Sequence, residues 1–424
     1  MKKIFTLAAI TCSLLVNTLN SQTGCTGLRY RDIMFADTVI SNITYGSNVT
    51  MTNAAATLRL DVWMPLGDTV TNRPLVILAH GGNFLGGSKT GPDVIQLCND
   101  LADMGYVVAS IDYRIGMTNF PFPGPDSTDA TEAVIRAVHD AKAAVRFFKK
   151  DYITMGNTYG IDTSNIFFMG VSAGGFMALQ VAYLDEESEF PAWADTTNQF
   201  GIHGGIEGLS GNPGYSSKVR AAINVAGALG DTAYINPGDI PCLLFHGDAD
   251  NTVPYGSDLI TLVGVYPLLQ VDGSFSIDAR CTQMGIEHCF ETYEGQDHVP
   301  HVSDPLYYDT TLVITRNFLV HYVCGDPLDC SFTTAIGIND LPAIPSLISV
   351  YPNPAEDVMN VNTSRLAGDD YTIELYNSIG ELVSTTPADA DGITSINTEN
   401  LSSGLYIMNV RNADSMWSQR VVVK

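Results

Sequence analysis

Positive charge is scarce in this sequence. Lysine and arginine number 21 against 46 aspartates and glutamates, a formal net charge of −25. A surface of that sign repels phosphate backbones and anionic lipid, which argues against nucleic acid or an anionic membrane as partner. Charge of either sign is thin, at 16% of 424 residues against 45% hydrophobic, and that balance excludes long disorder. Long apolar runs are missing too. Beyond the N-terminus no segment holds 18 or more unbroken apolar residues, so no spanning helix is expected in a mature chain. There is no Cys-x-x-Cys pair and no Cys/His spacing that would hold zinc. Asp248 and Asp250, two acids in a tight turn, fall short of a calcium loop. No cofactor and no metal is expected, and no internal repeat is found.

A chain of 424 residues has room for two or three domains. It opens with Lys2 and Lys3 and an apolar run from Ile4 to Val16, too short and too interrupted by Thr and Ser to span a bilayer. This reads as a cleaved signal peptide over residues 1–22. Export permits disulfides. Cys12 would leave with the signal, and seven cysteines remain, so at least one stays free. Cys98 and Cys242 lie in apolar stretches and read as buried thiols. Cys281–Cys289 and Cys324–Cys330 are near enough in sequence to staple local loops.

From about Thr57 to Val323, strand-like and helix-like runs alternate. Strands are expected at Pro74–Ala79, Tyr106–Asp112, Asn165–Met169, Ala221–Ala226, Pro241–Phe245 and Cys289–Tyr293. Helices are expected at Asp93–Met104, Asp129–Lys150, Ala173–Leu184, Gly256–Leu269 and Pro305–Val323. Continuous apolar strands between helices mean an α/β fold with a mostly parallel sheet covered on both faces. Arg31–Trp63 reads as an antiparallel hairpin at its edge. Residues 23–334 thus form one α/β domain, and 335–345 a linker. Residues 346–424 carry short alternating strands with turn residues between them, and no helical pattern: a small all-β sandwich.

Within the α/β part, FFMGVSAGG places Ser172 in a G-x-S-x-G pattern, after an expected strand and opening an expected helix. That is the setting of a nucleophile held on a strained turn, with helix N–H groups facing developing negative charge. A nucleophilic serine needs a base and the base an orienting acid. HGDADNTVP follows the strand Pro241–Phe245, and EGQDHVP follows the next. Both lie past C-terminal strand ends, where open α/β sheets place their sites. Asp250 is assigned as acid, with Asp248 as the rival. His298 is assigned as base, with His301 and then His288 behind it. HGGNF, after Pro74–Ala79, offers N–H groups to an oxyanion, assigned to Gly82 and Asn83 together with Ala173. His80, His139, His203 and His246 read as structural. Phe120 and Phe122, in the loop Asn119–Ser127, belong to a surface loop or line a pocket.

These pieces carry two resemblances. HGGNF, GVSAGG, HGDADNTVP and GQDH make residues 57–323 resemble the α/β-hydrolase fold, in its carboxylesterase and lipase branch. The third motif is close to H-G-x-x-D-x-x-V-P, which places the acid at Asp250. Asn83 stands where that branch has a third glycine. The resemblance implies a serine ester hydrolase acting on a small-molecule or polymer ester. A peptidase of the prolyl-oligopeptidase type and a non-catalytic binding protein are the alternatives. SVYPNPAEDVMNV, IELYNSIGELV, LSSGLYIMNV and QRVVVK are similar to the type A sorting domain of the type IX secretion system of Bacteroidetes. That implies handling by the secretion machinery, passage through the outer membrane, and release or attachment at the cell surface.

Overall fold

In the computed structural model the described residues are 24–25, 27–191, 201–332 and 349–424, the last span without 353, 364–365, 367–370, 378–379, 390–391 and 413–415. The expected signal peptide and linker lie outside them. The chain divides into two compact units, Met1–Ile336 and Gly337–Lys424.

The first unit is built on an eight-stranded sheet. Its strands are β1 (Asp37–Val49), β2 (Ala55–Pro65), β3 (Arg73–Ala79), β4 (Val107–Ile111), β5 (Ile161–Val171), β6 (Ala221–Val225), β8 (Cys242–Gly247) and β11 (His288–Tyr293). They run in the order β1-β2-β4-β3-β5-β6-β8-β11. From β4 to β11 all neighbours are parallel, and only β2 runs against them. β1 and β2 form the expected edge hairpin. Every residue of β3, β4, β6 and β8 is buried, because helices cover both faces.

Those helices are α1 (Ile95–Asp103), α2 (Ser127–Thr154), α3 (Ala173–Tyr183), α4 (Ser274–Met284) and α5 (Pro305–Cys324). α2 starts at a reciprocal cap: Asp126 accepts from the N–H groups of Thr128 and Asp129, and the Asp129 carboxylate accepts from the Asp126 N–H. α5 has Asp304 as its cap, Pro305 in its first turn and Gly325 in the left-handed region at its end. Among the described residues no helix is long and apolar enough to cross a membrane.

The structure corrects one element. Gly256–Leu269 is a hairpin, not a helix: β9 (Ser257–Leu262) pairs antiparallel with β10 (Tyr266–Gly273), and β10 pairs with the short β7 (Ala228–Leu229). The tip explains the error. Val263 and Gly264 both take positive φ, 47° and 69°, which reverses the chain where an apolar run seemed to continue. The helix of this region is α4, just beyond.

The cysteine pairing is corrected as well. Cys25 is bonded to Cys324 and Cys289 to Cys330, so neither expected local staple forms. The bridges join elements that meet in space although far apart in sequence, and sequence spacing carries no record of that. Cys98 and Cys242 are buried thiols, as is Cys281.

The second unit is a sandwich of two antiparallel sheets. One holds β12 (Ser349–Tyr351), β13 (Val358–Asn362) and β16 (Ile393–Asn397). The other holds β14 (Thr372–Tyr376), β15 (Leu382–Pro387), β17 (Gly404–Arg411) and β18 (Met416–Val423). Alternate residues turn inward, among them Met359, Val361, Ile373, Leu375, Met408 and Val410, and form one core.

Candidate active site

Ser172 stands between the last residue of β5 and the first of α3, with φ 53° and ψ −115°. A side chain held at positive φ stores strain, and the surroundings fix it there. The Ser172 N–H donates to the Val225 carbonyl at 2.8 Å, and the Phe176 N–H donates to the Ser172 carbonyl at 3.1 Å. The glycines on either side answer to space. A Cβ on Gly170 would lie 1.9 Å from the Gly174 carbonyl oxygen, and one on Gly174 would lie 2.0 Å from that of Ala79. Strand, turn and helix therefore meet with no room for a methyl group.

His298 reaches Ser172 from the loop after β11. Its Nε2 lies 2.9 Å from Ser172 Oγ, and its Nδ1 lies 2.7 Å from Asp250 Oδ2. A carboxylate can only accept, so Nδ1 carries the proton toward Asp250 and Nε2 is left to accept from the serine hydroxyl. Ser172 is 6% exposed, and the Asp250 side chain is fully buried. Burial alone raises the Asp250 pKa. Bonds from His246 and His298, the charge of His298 and the Val253 N–H outweigh it, and the carboxyl is held well below the usual range. Its Oδ1 accepts from the N–H groups of Thr252 and Val253, at 2.8 and 2.9 Å.

The loops that carry acid and base are stitched together. Asp297 Oδ1 accepts from the Asn251 N–H at 2.9 Å and from the His298 N–H at 2.8 Å. The Ala249 N–H donates to the Gln296 carbonyl at 3.0 Å. Asp248, the rival acid, is exposed, and its Oδ1 accepts from the Gly295 N–H at 2.6 Å.

Most of the other histidines have other partners. His301 Nε2 faces the Asp93 carbonyl at 3.4 Å, and burial pushes its pKa down to about 4. His288 pairs with Asp278 at 2.9 Å. His139 bonds the Gly205 carbonyl at 2.7 Å. His80 stacks on Tyr113, whose hydroxyl donates to the His80 carbonyl at 2.8 Å. His246 does more than its sequence context indicated. Its Nε2 lies 3.0 Å from the Val253 carbonyl and 3.4 Å from Asp250 Oδ2, and its Nδ1 lies 2.9 Å from Ser274 Oγ. Asn224 donates in turn to Ser274 Oγ at 3.1 Å. This buried polar chain supports the back of Asp250, and no motif marks its members Asn224 and Ser274.

The HGGNF loop lies against the serine: a Cβ on Gly81 would be 3.1 Å from Ser172 Cβ. Asn83 and Phe84 both take positive φ, at 54° and 57°. The N–H groups of Gly82, Asn83 and Ala173 have no hydrogen-bond partner among the described residues. Asn83, Ala173 and Ser172 line one cavity of about 270 Å³; Gly82 is not among its walls. The remaining walls include Phe84, Met117, Phe176, Ile260, Leu262 and Leu268. Three of these six come from the β9–β10 hairpin, for which Gly264 and Pro267 inside the apolar run were the available signal. Phe120 and Phe122 are 44% and 85% exposed and are not part of the wall.

Residues 60–228 match the BD-FAE family. The large unit has the α/β-hydrolase fold. The matched stretch includes HGGNF and Ser172 and ends before Asp250 and His298. Residues 349–424 match the secretion system C-terminal sorting domain, so the protein is exported by the type IX route and is secreted or held at the cell surface. Solved structures similar to the hydrolase include esterase 2 of the planctomycete Thermogutta terrifontis. Its propionate-bound form is 23% identical, with 70% of this chain and 97% of that chain covered and a TM-score of 0.46. Its apo form is 23% identical, with 70% and 98% covered and a TM-score of 0.47. The same enzyme phosphorylated by paraoxon is 22% identical, with 70% and 98% covered and a TM-score of 0.46. No curated protein matches the chain.

Proposed function

We propose that this α/β-hydrolase is a serine carboxylic-ester hydrolase working through an acyl-enzyme, with Ser172 as nucleophile, His298 as general base and acid, and Asp250 as the orienting acid. The observation that carries the reading is the continuous chain from Ser172 Oγ to His298 to the buried Asp250, at 2.9 and 2.7 Å.

In this reading His298 Nε2 takes the Ser172 proton as Oγ attacks the ester carbonyl. The new oxyanion sits against the N–H groups of Asn83 and Ala173, with Gly82 as the third donor. These groups have no other partner among the described residues, so meeting the oxyanion requires no bond between those residues to break. The imidazolium formed on His298 is stabilised by Asp250, whose depressed pKa keeps it charged at any pH near neutrality. His298 then gives its proton to the leaving alcohol. Water enters, His298 takes its proton, and the second half repeats the first with the acid as product. The cavity of about 270 Å³ lies on the Ser172 side and takes the acyl or alkoxy group. An ester small enough to enter that cavity, free or attached to a polymer, is the substrate class it fits.

Ser172→Ala should lower kcat for p-nitrophenyl acetate by several orders of magnitude with the unfolding midpoint unchanged. Undiminished turnover in that variant would overturn the mechanism.

A further inference from the structure

A second cavity, of about 160 Å³, lies beside the first and shares Phe176 and Leu269 with it as a common wall. Its lining mixes aliphatic side chains, Val134, Ile135 and Val138 from α2, Leu184 from the end of α3 and Val271 from β10, with polar ones, among them Thr131, Glu189, Tyr234 and Gln270. Gln180 also lines it, is 6% exposed, and its side-chain Oε1 is buried with no hydrogen-bond partner among the described residues. A carboxamide oxygen buried without a partner has lost its bonds to water without replacement.

The helix ties this atom to the reacting serine. Ser172, Phe176, Gln180 and Leu184 fall at steps of four and share one face of α3. Eight residues along a helix is about 12 Å, so Gln180 stands about 12 Å from Ser172, with Phe176 midway. Both cavities open on this stripe.

We propose that the second cavity is a binding site for an aliphatic group tipped by a single hydroxyl, which donates to Gln180 Oε1. The size fits: an apolar cavity of about 150 Å³ holds a ligand of about six heavy atoms. An anionic tip is disfavoured, since Gln180 Oε1 can only accept and Glu189 lines the same cavity. This site rests on the proposed esterase reading in one respect only. If Ser172 is the nucleophile, an ester arm running along α3 past Phe176 ends at Gln180, and the enzyme favours hydroxyl-tipped arms over plain ones.

Binding tests the site apart from catalysis. Full-length protein carrying Ser172→Ala is titrated with 1-hexanol by calorimetry, alone and combined with Gln180→Leu or Val138→Phe. The site predicts that Gln180→Leu weakens binding by about 5- to 10-fold, the value of one neutral hydrogen bond. It predicts that Val138→Phe, which fills the cavity, removes binding. Unfolding midpoints identify a variant that fails to fold, and Gln180→Asn, which keeps the amide but draws it back, then takes its place with the same expected loss. Equal or tighter hexanol binding in the leucine variant, or no binding to the Ser172→Ala protein, overturns the proposal. Failure of the esterase reading shows elsewhere, as absent turnover of p-nitrophenyl acetate by the unmutated protein.

Discussion

Two parts of the candidate site are built in opposite ways. Ser172, Asp250 and His298 sit just past the ends of β5, β8 and β11, on turns held by short-range bonds and close backbone contacts. The β9–β10 hairpin, which walls the cavity, carries its tip in the open: Val263 is 75% and Val265 68% exposed, and a side chain on Gly264 would meet nothing within 4 Å. The reacting groups need positions fixed to a fraction of an ångström, and a buried parallel sheet supplies that. A pocket wall needs only a shape, and a hairpin at the margin can change without disturbing the strands that carry the chemistry.

Substitutions at the two places sharpen the contrast. The largest effect is expected at the serine turn. Gly170→Ala puts a methyl group 1.9 Å from a backbone oxygen, so β5 and α3 must separate and Ser172 must move. A shift of about 1 Å costs about 100-fold in rate, and this variant should lose at least that in kcat toward p-nitrophenyl acetate. Wild-type kcat would show that the turn is not as tight as described. Next comes the bond between the acid and base loops. Asp297→Ala removes the acceptor shared by the Asn251 and His298 N–H groups, and kcat should fall about 10-fold or more with KM little changed. A change in KM alone would remove Asp297 from the positioning of His298.

A smaller effect separates His298 from its buried neighbour. His301 has a folded pKa of about 4, below its ordinary value of 6.5. Between those values the unfolded chain binds a proton that the native protein does not, so stability declines as pH falls through about 6.5 toward 4. His301→Gln should lose less of its unfolding midpoint on acidification from pH 7 to 4.5 than the unmutated protein. An identical loss in both would mean that His301 takes up no proton on unfolding.

The smallest effect is expected at the hairpin tip. Gly264→Ala meets open space and carries only the cost of a left-handed backbone, about 1–2 kcal/mol. It should lower the unfolding midpoint by a few degrees and leave kcat for the acetyl ester near wild type. A loss comparable to that of Gly170→Ala would erase the contrast between the two regions.

The same contrast governed what could be read in the sequence. β3, the second half of β5 and the start of β8 announce themselves as apolar runs, and Ser172 and Asp250 follow two of them within a few positions. The small residues around Ser172 mark a close approach of backbones, a local property that local sequence records. The hairpin was misread because Leu259–Leu269 is mostly apolar, and the positive φ of Val263 and Gly264 turns it back. Asn224, Ser274 and the His246 contact with Asp250 were not legible, because they meet only when β6, β8 and α4 are packed. The disulfides Cys25–Cys324 and Cys289–Cys330 failed for the same reason: their partners are neighbours in the fold and not in the chain.

The central claim is that Ser172 is an activated nucleophile, and its most direct measurement is labelling. Full-length protein is treated with a fluorophosphonate probe and mapped by mass spectrometry. The account predicts one adduct per chain, on Ser172, and none in Ser172→Ala, with labelling greatly slowed in His298→Ala. No adduct on the unmutated protein, or one that persists at another residue in Ser172→Ala at the same rate, would contradict it.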